Sequence, residues 1–336
     1  MPKQILVTGG LGYIGSHTVI ELVQSGYTVT IVDNLSNSRH GCLERIREII
    51  GPDYRNRVRF ANADICNTVS LAQIYGEWDA CIHFAALKSV RESVRDPLGY
   101  YRNNVAGTLS LLCFLRSRGC HRVVFSSSAT VYGSAEPPCA EDAPTGVGIT
   151  NPYGWTKAVC EGLFRDLVVS DDAWRVSVLR YFNPIGAHSS GKIGEDPTNT
   201  PSNLMPYLTQ VCAGSLDRLT VFGDDYETED GTCERDYVHV VDLAKGHVAA
   251  LRRLFSVASR GMEVYNLGTG RATSVLDLVR TMEKVYATAI PVTVSSRREG
   301  DVSRMWADVS KAEQVLGWKA ELTVEDACRD ALRTEH

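Results

Sequence analysis

The chain has 336 residues, 44% apolar and 22% charged, with a formal net charge of −5. That is enough apolar material for two domains, or for one large α/β unit with an added lobe. Lys and Arg form no block of five or more and do not interleave with aromatics, so no nucleic acid partner is expected.

Gln4–Thr8 reads as a strand, Tyr13–Gln24 as a helix and Thr28–Val32 as a second strand. Val58–Ala61, Asp79–Phe84 and Arg122–Ser126 continue the strand series. Tyr100–Arg116 and Tyr153–Ser170 have helical apolar spacing, and Arg175–Tyr181 is a further strand. Near-continuously apolar strands separated by helices predict a parallel sheet covered on both faces, the doubly wound α/β fold of Rossmann type. From residue 183 to 236 the chain is rich in Gly, Pro, Asn and Thr. Helical patterns return at Val238–Leu254, at Ser274–Tyr286 with Thr273 as its cap, at Ser310–Leu316 and at Thr323–Leu332. The expected division is a dinucleotide-binding domain over 1–182 and a smaller, loop-rich mixed α/β lobe over 183–336. The segment near 238–256 is expected to pack back on the first domain.

The ten cysteines are scattered without a C-x-x-C pair, and the eight histidines show no metal-ligand spacing. Ile5-Leu6-Val7 is too short for the apolar core of a signal peptide, and no apolar run approaches the roughly 18 residues that span a bilayer. A reduced, cytoplasmic protein with no metal and no membrane partner is the expectation.

Between the first strand and the first helix lies TGGLGYIGSH, with Gly9, Gly12 and Gly15 at G-x-x-G-x-x-G spacing. Gly9 would allow the tight turn, Gly12 the close approach of a pyrophosphate, and Gly15 close packing of helix on strand. The helix N-terminus adds free N–H groups and the positive end of its dipole. Asp33 follows the second strand, where a carboxylate accepts bonds from an adenosine ribose and repels a 2′-phosphate. NAD is therefore expected rather than NADP.

Tyr153 and Lys157, in NPYGWTKAVCE, stand four residues apart on one face of a predicted helix. In VVFSSSATVYG a strand runs into three serines, and strand carboxyl ends are where ligands bind in this architecture. A phenol with pKa near 10 is a poor base at pH 7. A neighbouring ammonium and a nicotinamide cation would lower it, so Tyr153 could take and return a proton on a substrate hydroxyl. Lys157 would also tie down the nicotinamide ribose, and Ser128 would orient the reacting oxygen.

The combination of this glycine loop, Ser128 and Tyr153-x-x-x-Lys157 resembles the extended short-chain dehydrogenase/reductase superfamily. The stretches VDNLSNS, HFAALKSVRESV, YYRNNVAGT, SSSATVYG, LRYFNPIGAH, EDGTCERDYVHV, YNLGTG and RREGDV resemble, within it, the UDP-glucose 4-epimerases, from about residue 3 to about residue 330. The resemblance implies a retained NAD, oxidation of a UDP-hexose at C4 to a 4-ketose, and re-reduction on the opposite face. It implies Tyr153 as the base, Ser128 as its partner at O4 and Lys157 as the tuning cation. Cofactor contacts would map to Tyr13, Ile14, Asp33, Asn34, Asn37, Ser38, Asp64, Ile65, Phe84, Ala85, Ala86, Lys88, Asn103, Ser126 and Tyr181, beside Gly9, Gly12 and Gly15.

For the UDP-sugar, Arg235 and Arg298 are the diphosphate candidates, since guanidinium matches phosphate oxygens bidentately. The family pattern implies Asp301 at the uridine ribose, Leu204, Thr220 and Phe222 around uracil, and Asn183 and Asn203 at the diphosphate or sugar. Phe182, Tyr237 and Val275 would complete the wall, with Ser128 at the substrate and Lys88 and Tyr153 shared between cofactor and substrate. Arg297 is expected to be solvated. Met305 falls where members restricted to glucose and galactose tend to carry Tyr and members accepting N-acetylated sugars carry a small residue such as Cys, so N-acetylated substrates are expected to be accepted poorly. The resemblance also implies a homodimer paired through Tyr100–Arg116 and Tyr153–Ser170.

Two alternatives stand beside this. A sister nucleotide-sugar dehydratase or decarboxylase would share the loop and the Tyr/Lys pair, but a 4,6-dehydratase would carry an acidic pair after the serine position, where this chain has Ala129 and Thr130. Neither does acid–base work at neutral pH. A non-catalytic NAD-binding regulator would have lost one or more of Ser128, Tyr153 and Lys157, and all three are present.

Overall fold

A computed structural model describes residues 2–196, 201, 203–256, 258–298 and 301–334. Seven parallel strands form the main sheet: β1 (Gln4–Thr8), β2 (Thr28–Asp33), β3 (Val58–Asn62), β4 (Ala80–His83), β5 (Arg122–Ser126), β6 (Arg175–Tyr181) and, after the short β7 (Asn183–Ile185), β8 (Leu219–Phe222), β9 (Glu234–Arg235) and β10 (Tyr237–His239), the edge strand β11 (Gly261–Leu267). Their order is β11-β6-β5-β4-β1-β2-β3. β1 pairs with β2 on one side and β4 on the other, so the winding reverses there and a crevice opens at the strands' carboxyl ends. β11 lies on the C-terminal side of residue 182 in the chain, yet it pairs along its whole length with β6.

Helices cover both faces, as the apolar strands require. On one face α1 (Tyr13–Gln24) and α2 (Gly41–Ile50) share a buried cluster with Ile5, Val7, Val29 and Ile31; α9 (Val240–Phe255) joins them and packs along α1. On the other, α3 (Thr68–Ala72), α6 (Gly107–Ser117) and α7 (Pro152–Ser170) pack on Leu6, Val123, Phe125 and Val176. The helix read over Tyr100–Arg116 is less regular. It follows α4 (Val90–Arg95), begins as α5 (Pro97–Tyr100), passes through a π-helical turn at Tyr101–Ala106 and continues as α6. Such a turn re-aims side chains beside functional sites; here it carries Asn103 and Asn104.

The remaining chain has its own buried cluster, built from α8 (Leu204–Cys212), β8, α10 (Val275–Tyr286) and α11 (Val324–Leu332). The short strands β12 (Thr273–Ser274), β13 (Val292–Ser295) and β14 (Arg304–Met305) complete it: β12 and β14 flank β9, and β13 pairs with β8. Ser274, not Thr273, caps α10: its hydroxyl accepts from the Asp277 N–H at 2.9 Å. Thr273 is instead paired with Arg235 across β12 and β9. Val238 and His239 belong to β10, so the helix read from Val238 starts at Val240. Thr323 caps α11 in a capping box with Asp326.

Candidate active site

A cleft of about 520 Å³ runs along the carboxyl ends of β1, β2, β4, β5 and β6. Its floor is the glycine loop. Gly9 sits at φ +69°, and a Cβ there would lie 2.8 Å from Ala85 N; a Cβ on Gly15 would lie 2.2 Å from Gly9 O. These two are glycine for the fold's own sake. Gly12 is different: an added Cβ would meet only Gly9 O, at 3.3 Å, and otherwise point into open space. A missing side chain with room around it, at the N-cap of α1, is a cradle fitted to a pyrophosphate.

Asp33 ends β2 and is 8% exposed. It accepts from Leu11 N–H at 3.1 Å, Leu35 N–H at 3.0 Å and the Ser38 hydroxyl at 2.8 Å. Loop, strand and Ser38 are thereby locked together at one end of the cleft. Asn34 donates to Asp64 at 3.0 Å. Asp64 itself is not among the residues lining the cleft, whereas Asn34, Asn37, Ser38, Ile65, Phe84, Ala85, Ala86, Lys88 and Asn103 are, together with Gly9, Gly12, Tyr13, Ile14 and Gly15. Asp64 reaches the site through Asn34.

Ser126, Ser128, Tyr153, Lys157 and Tyr181 line the other end. Asn151 caps α7, accepting from Gly154 N–H at 2.9 Å, and Pro152 opens the helix, which sets Tyr153 in its first turn and Lys157 one turn on. Lys157 Nζ donates to Ser126 O at 2.6 Å and lies 5.9 Å from the centre of the Tyr153 ring. Burial pushes this ammonium down to about 8. Tyr153 is raised from its ordinary value by burial, and the neighbouring Ser128 hydroxyl works in the opposite direction. Lowering of the phenol by Lys157, expected from the sequence, is therefore not a property of the protein groups by themselves: the ammonium's hydrogen bond goes to a backbone carbonyl.

Ser128 stands just past β5 in extended conformation. Its Oγ accepts from Thr130 N–H at 3.2 Å and from the Thr130 hydroxyl at 3.0 Å, leaving its own proton to donate. Ser126 Oγ and the Tyr181 hydroxyl are hydrogen-bonded. Behind them Glu161 accepts from Ser127 Oγ at 2.6 Å and from Arg180 through both oxygens, at 3.0 and 2.7 Å. This buried fork binds β5, β6 and α7 into one rigid support.

Phe182, Asn183 and Asn203 also line the cleft. Leu204, Thr220, Phe222, Arg235, Tyr237, Val275, Arg298, Asp301 and Met305 lie outside its lining. β7 pairs with β10, so Tyr237 stands opposite Asn183. Arg235 is flanked by Thr273 and Met305 across β12 and β14. Val275 N–H donates to Cys233 O at 3.0 Å. Arg298 stacks over the Phe222 ring, 3.9 Å from its centre, and Asp301 N–H donates to Arg298 O at 3.3 Å. Arg297 pairs with Asp225 at 2.7 Å on the surface. Met305 is buried, its sulfur 3.6 Å from Cys139 Sγ, in a cluster that includes Phe182. It can act on the cleft through Phe182 rather than by lining it.

Several residues here are not singled out by the sequence reading. Asp236, fully buried, accepts from Thr269 N–H and Oγ1 at 2.7 Å each, from Gly270 N–H at 3.0 Å and from Ala307 N–H at 3.2 Å, and so pins the corner between Arg235 and Tyr237. Arg39, Glu195 and Asp196 line the cleft from loops without periodicity; only the fold brings them there.

Residues 6–331 match the family model described as GDP-mannose 4,6 dehydratase. The chain is 51% identical to UDP-glucose 4-epimerase 2 of Arabidopsis thaliana, over 98% of this chain and 94% of that one. It is 50% identical to the UDP-glucose 4-epimerase of Bacillus subtilis, over 98% and 96%. The crystal structure of UDP-glucose 4-epimerase from Bifidobacterium longum, in complex with NAD+ and UDP, superposes with a TM-score of 0.93 at 47% identity, covering 98% of this chain and 97% of that one. The chain belongs to the UDP-glucose 4-epimerase family. The positions after Ser128 are Ala129 and Thr130; Thr130 serves Ser128 as a donor, and neither offers a carboxylate.

Proposed function

We propose that the protein interconverts UDP-galactose and UDP-glucose by reversible C4 epimerisation with a retained NAD, as a cytoplasmic homodimer in galactose metabolism. The observation that carries this is the convergence of Ser128, Tyr153 and Lys157 on one end of a cleft whose other end is the Gly12 cradle. Bound NAD supplies the redox chemistry at the sugar's C4. Gly12 and Asp33 hold the dinucleotide on the turn that Gly9 and Gly15 permit, with Asn103, Ser126 and Tyr181 toward its nicotinamide end. Ser128 donates to the reacting oxygen and orients it, and Tyr153 removes and returns its proton. Lys157, anchored on Ser126 O, keeps positive charge beside the phenol and ties the ribose. The cofactor part comprises residues 1–182 with α9 and β11, and most of the remainder of 183–336 holds the nucleotide sugar.

Arg235 and Arg298 supply charge for the diphosphate, Phe222 and Leu204 an apolar slot for uracil, and Asp301 a ribose contact. With Met305 packed against the Phe182 cluster, N-acetylated sugars are expected to turn over poorly. Dimerisation is supported by apolar side chains left exposed on α4 to α7, among them Val94, Leu98, Leu109, Trp155 and Val159. In soluble proteins such a patch marks an interface. No helix of the described residues is long and apolar enough to cross a membrane.

Proton NMR of the anomeric signals tests the function. UDP-galactose added to purified protein without NAD should become a glucose/galactose mixture. Conversion only after NAD is supplied would leave the chemistry and overturn cofactor retention; no conversion in either case would overturn the reading.

A further inference from the structure

The segment 186–196 leaves the end of β7, crosses to the cofactor half of the molecule and is tied there at five points. Tyr13, in the glycine loop, donates its hydroxyl to Gly186 O at 2.6 Å. Ile193 is buried in the cluster shared with α1. Lys192 pairs with Glu48 of α2 at 2.5 Å, Glu195 with Lys88 after β4 at 2.6 Å, and Asp196 with Arg39 after β2 at 3.3 Å. A turn closed by His188 N–H to Ile193 O at 3.1 Å gives the segment its shape. Ile193, Gly194, Glu195 and Asp196 line the same cleft as Gly12, Asp33 and Ser38.

These ties go to four separate loops or helices that frame the dinucleotide cleft, namely the glycine loop with α1, α2, and the loops after β2 and β4, and none goes to Ser128, Tyr153 or Lys157. We propose that residues 186–196 are a strap that retains the dinucleotide between and during turnovers. The inference rests on the proposed epimerase reading, which makes retention a requirement: the sugar oxidised by one cofactor molecule must be reduced by the same one. The strap is held mainly by exposed ion pairs, with Lys192 and Glu48 about half exposed. Each such pair is weak and screened by salt. Holding at several weak points gives slow release while leaving exchange possible on a longer timescale.

The test is the rate at which NAD-loaded protein, freed of excess cofactor by gel filtration, releases NAD to a trapping dehydrogenase. Lys192→Met should release it about threefold faster, the effect of one exposed pair, and Arg39→Gln/Lys192→Met about tenfold faster. Glu48→Gln should match Lys192→Met, and combining those two should add nothing, since they break the same pair. Wild type in 1 M salt should also release faster. Lys284→Met breaks the remote Lys284–Glu325 pair and should match wild type. Variants that release NAD at the wild-type rate would overturn the strap alone. Equal acceleration in Lys284→Met would overturn it in favour of general loosening. Wild type that takes up no NAD would overturn both the strap and the reading beneath it.

Discussion

Tyr153 is a phenol in a place that does not by itself make it a base, since burial holds it above its ordinary value. Proton transfer therefore depends on what surrounds the hydroxyl. Tyr153→Phe keeps the packing and removes the proton carrier; kcat should fall by about 10²–10⁴-fold with NAD content unchanged, measured by turnover and by nucleotide released on denaturation. Lys157 carries a pH signature. Its native value of about 8 lies below the ordinary 10.5. Between those values the unfolded chain holds a proton that the native protein has given up, so stability due to this group rises with pH through that window. Urea unfolding should show wild type gaining on Lys157→Met as pH climbs from 8 to 10. A constant difference would mean that the ammonium is not desolvated.

The strand–loop–helix unit of β1 and α1 separates two uses of glycine. Gly15→Ala drives a Cβ into Gly9 O and should lower the melting temperature by several degrees. Gly12→Ala meets only Gly9 O, at 3.3 Å, so the protein should purify without NAD and melt close to wild type stripped of NAD. Equal melting temperatures for the two variants would refute the distinction. Elements with strong periodicity were legible beforehand: β1, α1, β5, α7 and β6 lie within a residue of their expected bounds. α2 was not among the expected elements, although Leu43, Ile46 and Ile50 sit at helical spacing and are buried. α8, β8 and β13 were missed for a different reason. They are short and separated by turns, and their apolar faces acquire meaning only against α10 and α11.

Across the whole molecule, burial of neutral imidazoles sets an acid limit. His17 and His83 are pushed down to about 3 and His247 to about 4, in each case chiefly by burial. Below about pH 6.5 the unfolded chain takes up these protons and the native protein does not, so stability is lost progressively as pH falls toward 4. Thermal melts from pH 7 to 4.5 should show this fall. His83→Gln, which can still bond the hydroxyls of Thr8 and Thr108 now held by the ring at 2.7 and 2.9 Å, should flatten it. An unchanged slope in that variant would assign the loss elsewhere.

What the sequence determined by itself is what local spacing can encode. The glycine loop before a helix, the acidic residue ending the second strand and Tyr153 one helical turn from Lys157 each lie within a few residues of chain, and the resemblance of longer stretches carried the substrate class. The tertiary structure decided what depends on distant segments meeting. β11 enters the sheet because its backbone hydrogen-bonds β6, 86 residues earlier in register (Gly261 opposite Arg175). Asp236 gains its role from N–H groups of residues 269, 270 and 307. Glu195 meets Lys88 across 107 residues. Such pairings obey no period, because a loop carries no alternation of buried and exposed faces to read; charge and hydrogen-bond complementarity act only once the sheet has brought the partners within a few ångströms.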